Sequence, residues 1–295
     1  MTTQAKRPLI GVFDSGFGGL TVLRELLHHL PGADFLYLGD TAHLPYGSKS
    51  QAAITRYTRA AIRELVSRGA ELVVIACNTA SALALPSLQD NAPVPLVGVV
   101  GPGADAAAAI VPPGSTVLVL ATEGTCNSHA YAEACAARGL QAVEKPCPLF
   151  VPLVEEGWTD GPITEQIADV YLKEALAAAL HPPLAIVLGC THYPLLRPLL
   201  QREIAKLDDN IPIVDSAEAT ARHTATLLPS AAVPESSGAT PATGEPTLVP
   251  TAAVHSDAEP HLHFLATDAA AKFQRFAPRF LGREIPTVEL ITLED

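Results

Sequence analysis

Short apolar runs alternate with longer helical patterns along this chain, and no other feature constrains its fold as much. Strands are expected over 8–13 (PLIGVF), 34–39 (DFLYLG), 72–77 (LVVIAC), 95–100 (PLVGVV), 116–121 (TVLVLA), 140–145 (LQAVEK), 184–189 (LAIVLG) and 263–266 (HFLA). Helices are expected over 19–30, 51–69, 163–180 and 268–282, among others. Strands that are apolar throughout belong to parallel sheets covered by helices on both faces. The fold class that follows is α/β.

The layout also repeats. The stretch 9–26 (LIGVFDSGFGGLTVLREL) and the stretch 116–135 (TVLVLATEGTCNSHAYAEAC) each run strand, Gly-containing polar turn, helix. Each is followed at a comparable distance by an apolar run ending in a small residue and Cys, VVIACNTASA (73–82) and IVLGCTHYPLL (186–196). Two pseudo-symmetric domains are therefore expected, each a mostly parallel sheet flanked by helices. A length of 295 residues suits about two domains. The first is assigned 1–100 plus 212–295 and carries Cys77; the second is assigned 101–211 and carries Cys190. Residues 229–260 hold six prolines amid Ala, Ser, Thr and Gly without apolar periodicity, and read as a surface insertion in the first domain.

In open α/β sheets, ligands bind beyond the carboxyl ends of the strands. The polar turns in those places are Asp14-Ser15-Gly16, Gly39-Asp40-Thr41, Cys77-Asn78-Thr79, Thr122-Glu123-Gly124-Thr125 and Cys190-Thr191-His192. The turn DSGFGG (14–19) departs from the dinucleotide fingerprint and lacks the lysine of a phosphate loop. It reads equally as a tight glycine turn and as a helix N-terminus open to an anion. Cys77 and Cys190 each follow a strand and precede a helix, where the N-terminal dipole can lower a thiol pKa from about 8.5. Cys126, Cys135 and Cys147 read as small apolar residues. His192, two residues from Cys190, could orient or protonate that thiol.

Composition narrows the classes. A net charge of −12 argues against nucleic-acid and anionic-membrane partners. No apolar run approaches the roughly 20 residues that span a bilayer, and the start MTTQAKRPLIGVFDSG has no signal-peptide core. Five cysteines without a CxxC pair point to free thiols in a reducing, cytoplasmic compartment. The Cys190/His192 spacing fits no usual zinc pattern, so no metal is expected.

The stretches FDSGFGGLTV, YLGDTAHLPYGSKS, IACNTASA, GCTHYPLL and VDSAEATA together resemble the glutamate racemases, from residue 8 to about 228 and again over 262–283. GCTHYPLL is shared by the wider aspartate/glutamate racemase superfamily; DSGFGGL and GDTAHLPYG point to the glutamate branch. The Pro-rich 229–260 segment is the departure from that pattern.

The resemblance implies a cofactor-independent interconversion of L- and D-glutamate that supplies D-glutamate for peptidoglycan precursors. Two cysteines work on opposite faces of the substrate Cα, with the active site between the domains. It implies that Asp14 assists Cys77, and that Glu155 (in PLVEEG) and His192 assist Cys190. Glutamate would be held by Ser15, Tyr46, Gly47, Asn78, Thr79, Thr122 and Thr191, around the catalytic Asp14, Cys77, Cys190 and His192. These groups are hydroxyls, amides and helix N-termini with no arginine, so carboxylate binding falls to strand-end amides. A homodimer is usual in such a family, and an activator acting through an N-terminal extension is not expected here.

Three rivals are separable. A pyridoxal-phosphate racemase needs a Schiff-base lysine, and none of Lys6, Lys49, Lys145, Lys173, Lys206 or Lys272 sits in a strand-end turn beside the cysteines. An aspartate racemase would differ in its substrate, and two cysteines with polar partners favour racemisation over a decarboxylase or isomerase of the superfamily that uses one cysteine. A non-catalytic two-lobe binding protein would bind without exchanging the Cα hydrogen.

Overall fold

The computed structural model describes residues 7–207, 211–228 and 259–294. Its strands are β1 (Leu9–Asp14), β2 (Asp34–Gly39), β3 (Leu72–Ile75), β4 (Leu96–Gly98), β5 (Thr116–Ala121), β6 (Gln141–Pro146), β7 (Pro183–Gly189), β8 (Ile213–Asp215), β9 (Leu262–Ala266) and β10 (Val288–Leu290). They form two sheets, ordered β10-β9-β2-β1-β3-β4 and β6-β5-β7-β8. Every neighbouring pair is parallel. Within the first sheet, β2-β1-β3-β4 has the same order as β6-β5-β7-β8 in the second. The repeat seen in the sequence is thus a repeat of topology, with β1 matching β5 and β3 matching β7.

In each sheet the chain steps to one side of the founding strand and then to the other, which opens a crevice at that strand's carboxyl end. Asp14 ends β1 and Thr122 follows β5; Cys77 follows β3 and Cys190 follows β7. All four therefore lie at strand ends around the two crevices.

Side chains alternate across the sheets with the strand period of two. Ile10 and Val12 of β1, Leu118 and Leu120 of β5, and Ile186 and Leu188 of β7 join one core that runs continuously between the two sheets. Phe13, Val73 and Ile75 face a second cluster under helix Gln51–Ser67, while Val117, Val119 and Val187 face a third beside helix Val100–Ala108. The shared core includes Phe273, Phe276 and Phe280 of helix Ala270–Leu281. Each such burial contributes about 1.5–3 kcal/mol. Helix Leu20–His29 packs against both Ala270–Leu281 and Ser216–Leu227, and the latter also meets Val100–Ala108.

Three sequence expectations are adjusted. β3 ends at Ile75, not Cys77, because Cys77 becomes the N-cap of helix Asn78–Leu83. The strand at 213–215 pairs with β7, so the second sheet reaches Asp215, whereas 212 onward is assigned from sequence to the first domain. The strands β8 and β10 are three residues each, too short to stand out as apolar runs. Of the 229–260 insertion, residues 229–258 lie outside the described residues.

Candidate active site

Asp14 is fully buried. Its Oδ2 accepts the Gly16 amide at 2.8 Å, while Oδ1 has no hydrogen-bond partner among the described residues. Burial pushes its carboxyl up; the nearby His192 charge and the amides of Gly16, Gly19 and Ser15 oppose that rise. Gly19 leaves the room: a Cβ there would stand 2.5 Å from the Asp14 Cβ.

Cys77 is buried at the N-terminus of helix Asn78–Leu83. The expected dipole effect does not prevail. Burial, followed by the Asp14 carboxylate, pushes the Cys77 thiol up to about 12 against the Ala80 amide and the Ser15 hydroxyl. Cys190 adds a smaller push in the same direction.

Cys190 has different partners. Its Sγ lies 4.0 Å from His192 Nδ1. His192 Nε2 is 3.4 Å from Glu155 Oε1, close enough for an ion pair without hydrogen-bond alignment. Burial alone would lower the His192 pKa, but Cys190 and Glu155 outweigh it and hold the imidazole up to about 10. Burial likewise would raise Glu155, and His192 with Lys272 overrides it and holds the carboxyl below its ordinary value.

The two crevices meet through small residues and hydroxyls. A Cβ on Gly18 would collide with Thr191 Oγ1 at 2.2 Å and His192 Nδ1 at 2.5 Å. Thr21 Oγ1 donates to the Thr191 carbonyl at 3.1 Å. Thr79 and Thr122 hydroxyls are 2.9 Å apart across the halves, each also touching Thr125 Oγ1 (3.3 and 3.0 Å). The turn Tyr46–Ser48 lies against this group, because a Cβ on Gly47 would come within 3.1 Å of Thr122 Cβ. Beside that turn a cavity of about 270 Å³ opens, lined by Gly47, Lys49, Leu83 and Glu123 among others.

All the residues singled out in the sequence thus gather at the junction of the sheets, though not all are free for a ligand. The Tyr46 hydroxyl is taken by Asp40 Oδ2 at 2.6 Å. Asn78 Oδ1 accepts from Tyr131 at 2.7 Å, leaving its Nδ2 buried and unpartnered. Asp40, Thr125 and Thr21 escape sequence reasoning, although Asp40 and Thr125 lie in strand-end turns already noted. Lys272 enters the sequence reading only as a lysine outside the strand-end turns, and its partner Glu155 is 117 residues away. Among the described residues, no group of three or more His, Cys, Asp or Glu is placed to hold a metal ion, and no helix is long and apolar enough to cross a membrane.

Two α/β halves of matching strand order, with a thiol at the same strand end of each, describe an amino-acid racemase, and the chain belongs to the Asp/Glu/Hydantoin racemase family, whose model matches residues 10–224. Its relatives are more particular. The glutamate racemase of Koribacter versatilis is 49% identical over 293 residues, covering 98% of each chain. The crystal structure of Francisella tularensis glutamate racemase in complex with D-glutamate matches with a TM-score of 0.79 at 32% identity, over 98% of both chains. A glutamate racemase isoform from Bacillus anthracis matches with a TM-score of 0.82 at 31% identity, again over 98% of both.

Proposed function

We propose that this protein interconverts L- and D-glutamate without a cofactor, using Cys77 and Cys190 as the two acid/base groups, and that it supplies D-glutamate for peptidoglycan precursors in the cytoplasm as a homodimer. The observation that carries the mechanism is the equivalence of the two cysteines: each follows the equivalent strand of a repeated sheet, and each has its own polar partners. Removing a proton from one face of a planar carbanion and returning one to the other face needs a group on each side. The substrate assignment rests on the relatives, which bear the name glutamate racemase.

The unpartnered atoms support an amino-acid ligand. Asp14 Oδ1 is a buried acceptor suited to an ammonium group, and Asn78 Nδ2 is a buried donor suited to a carboxylate. An incoming ammonium beside Asp14 offsets the charge that raises Cys77, and so favours the thiolate. That thiolate takes the Cα proton, the electron pair stays on Cα, and the Cys190 thiol delivers its proton to the opposite face. The two thiols finish with exchanged protonation, and Asp14 and His192 are the groups beside them through which the original state returns. Exclusion of water and hydrogen bonds from Asn78, Thr79 and Thr191 stabilise the developing carbanion.

Incubation with L-glutamate in D2O tests this. Product D-glutamate should carry deuterium at Cα, with little label in recovered L-glutamate early on, because each thiol faces one side. Preference for aspartate would move the protein to another branch of the family. Binding without Cα exchange would make it a two-lobe binding protein.

A further inference from the structure

Glu155 is held between two cations on different oxygens: Oε1 faces His192 Nε2 at 3.4 Å, and Oε2 accepts from Lys272 Nζ at 3.1 Å. The two cations come from opposite halves. His192 follows β7 of the second sheet, whereas Lys272 lies on helix Ala270–Leu281, between β9 and β10 of the first. We propose that Lys272 is a positioning residue for the acid/base set of Cys190, acting through Glu155 to fix which carboxylate oxygen faces His192.

Three further contacts place the whole helix in that role. Arg279 Nη1 donates to the carbonyls of Val154 and Glu155 at 2.9 and 3.0 Å, holding the main chain that carries the carboxylate. The next turn makes room for it, since a Cβ on Gly157 (φ +84°) would stand 2.8 Å from Arg279 Nη2. The Phe280 ring meets the His192 imidazole edge to face, with centroids 5.2 Å apart. One helix therefore grips the carboxylate, its backbone and the imidazole.

Lys272 is itself steered. Its ammonium sits over the rings of Phe17 and Phe276, at 5.4 and 5.2 Å from their centroids. Phe17 belongs to the turn that carries Asp14, so the same amine contacts the acid/base elements of both halves. A carboxylate with one oxygen fixed has one way to present the other. Freed at Oε2, Glu155 gains rotamers in which Oε1 no longer addresses His192, and misplacement by about 1 Å can cost on the order of 100-fold in rate.

The charges facing Glu155 are His192 from the β7 end and Lys272 and Arg279 from the helix; Cys190 and Asp14 lie beyond His192. His192 first, then Lys272, keep the Glu155 carboxyl low against burial. Removing Lys272 removes part of that pull, so Glu155 protonates at higher pH. Activity that needs the carboxylate is lost as pH falls through the Glu155 pKa, so the contribution of Glu155 to the acid limb of the kcat profile, alongside that of Asp14, moves upward.

The inference rests on the racemase reading, and its test separates the two. Lys272→Met should lower kcat for glutamate by about tenfold or more, leave KM within about twofold, and move the acid limb to higher pH. Lys272→Arg should restore both quantities. Should the Lys272→Met variant fail to fold, as judged by circular dichroism, Lys272→Gln reads the same quantities. Unchanged kcat and acid limb in a folded variant overturn the inference. A raised KM at constant kcat overturns it too, by making Lys272 a substrate-binding residue. So does a loss of kcat with the acid limb in place, which is the signature of a purely structural contact. A wild-type protein that racemises nothing overturns the underlying reading instead.

Discussion

Gly18 and His192 touch across the two halves of the molecule with no space for a methyl group, since a Cβ on Gly18 would lie 2.5 Å from His192 Nδ1. That nitrogen is the one facing the Cys190 sulfur. Gly18→Ala should therefore displace the imidazole from its thiol while leaving both sheets intact. We expect kcat to fall by about 10–100-fold with a small change in melting temperature. A variant with wild-type kcat would show that the contact yields without moving His192.

His192→Ala should slow turnover without abolishing substrate binding. The imidazole stands between Cys190 and Glu155, so its removal costs proton transfer rather than carboxylate recognition. Acid–base assistance typically contributes about 10²–10⁴-fold, and the loss should appear mainly in kcat. A large rise in KM at unchanged kcat would make His192 a binding residue.

Cys77→Ser and Cys190→Ser should each lose racemisation of both enantiomers, because a serine hydroxyl is far too weak an acid to provide the base form. The buried Cys126 and Cys135 lie in the core beside helix Val100–Ala108 and Cys147 in the core shared by the sheets, none of them following β3 or β7, and their substitution should affect activity far less. Polarimetric assays from L- and from D-glutamate decide this. Near-wild-type rates in both directions for either serine variant would rule out the two-thiol scheme.

Asp14→Asn separates stability from catalysis. The folded state raises the Asp14 carboxyl, so the stability linked to its proton is present below the unfolded value of 3.8 and is lost as pH rises through the folded value. At neutral pH the buried carboxylate is thus a destabilising group. The isosteric amide should raise the melting temperature near pH 7 and lower the Cys77 pKa, since the Asp14 charge is the second cause raising it. Activity should nonetheless fall, because the ammonium loses its counter-ion. Thermal melts and an ultraviolet thiolate titration read the two effects; a variant no more stable than wild type at pH 7 would contradict the first.

Much of this architecture was legible because its strands advertise themselves. TVLVLA and AIVLG are buried on both faces, and the residues that follow them, Thr122 and Cys190, inherit their placement from the parallel topology. The half-exposed edge strand β6 was found within one residue despite its Glu and Lys. What stayed hidden was set by contacts between halves. The high Cys77 pKa depends on burial by elements far away in the chain, against which a local dipole argument has no defence. Lys272 was noted only as a lysine in no strand-end turn, and nothing near it in the sequence announces that its helix folds over Glu155.

The repeated strand order has a final consequence, which concerns energy levels rather than positions. L- and D-glutamate have the same free energy in achiral water, so their equilibrium constant is one, and kcat/KM must be equal in the two directions for this protein and for every variant of it. The two halves offer the reacting carbon similar geometry but unlike chemistry: a carboxyl beside Cys77, an imidazole with a carboxylate beside Cys190. That inequality cannot appear in the ratio. Any trace of it in steady-state rates takes the form of a skew between the enantiomers in kcat matched by the same skew in KM, so the enantiomer with the lower KM is also the one turned over more slowly.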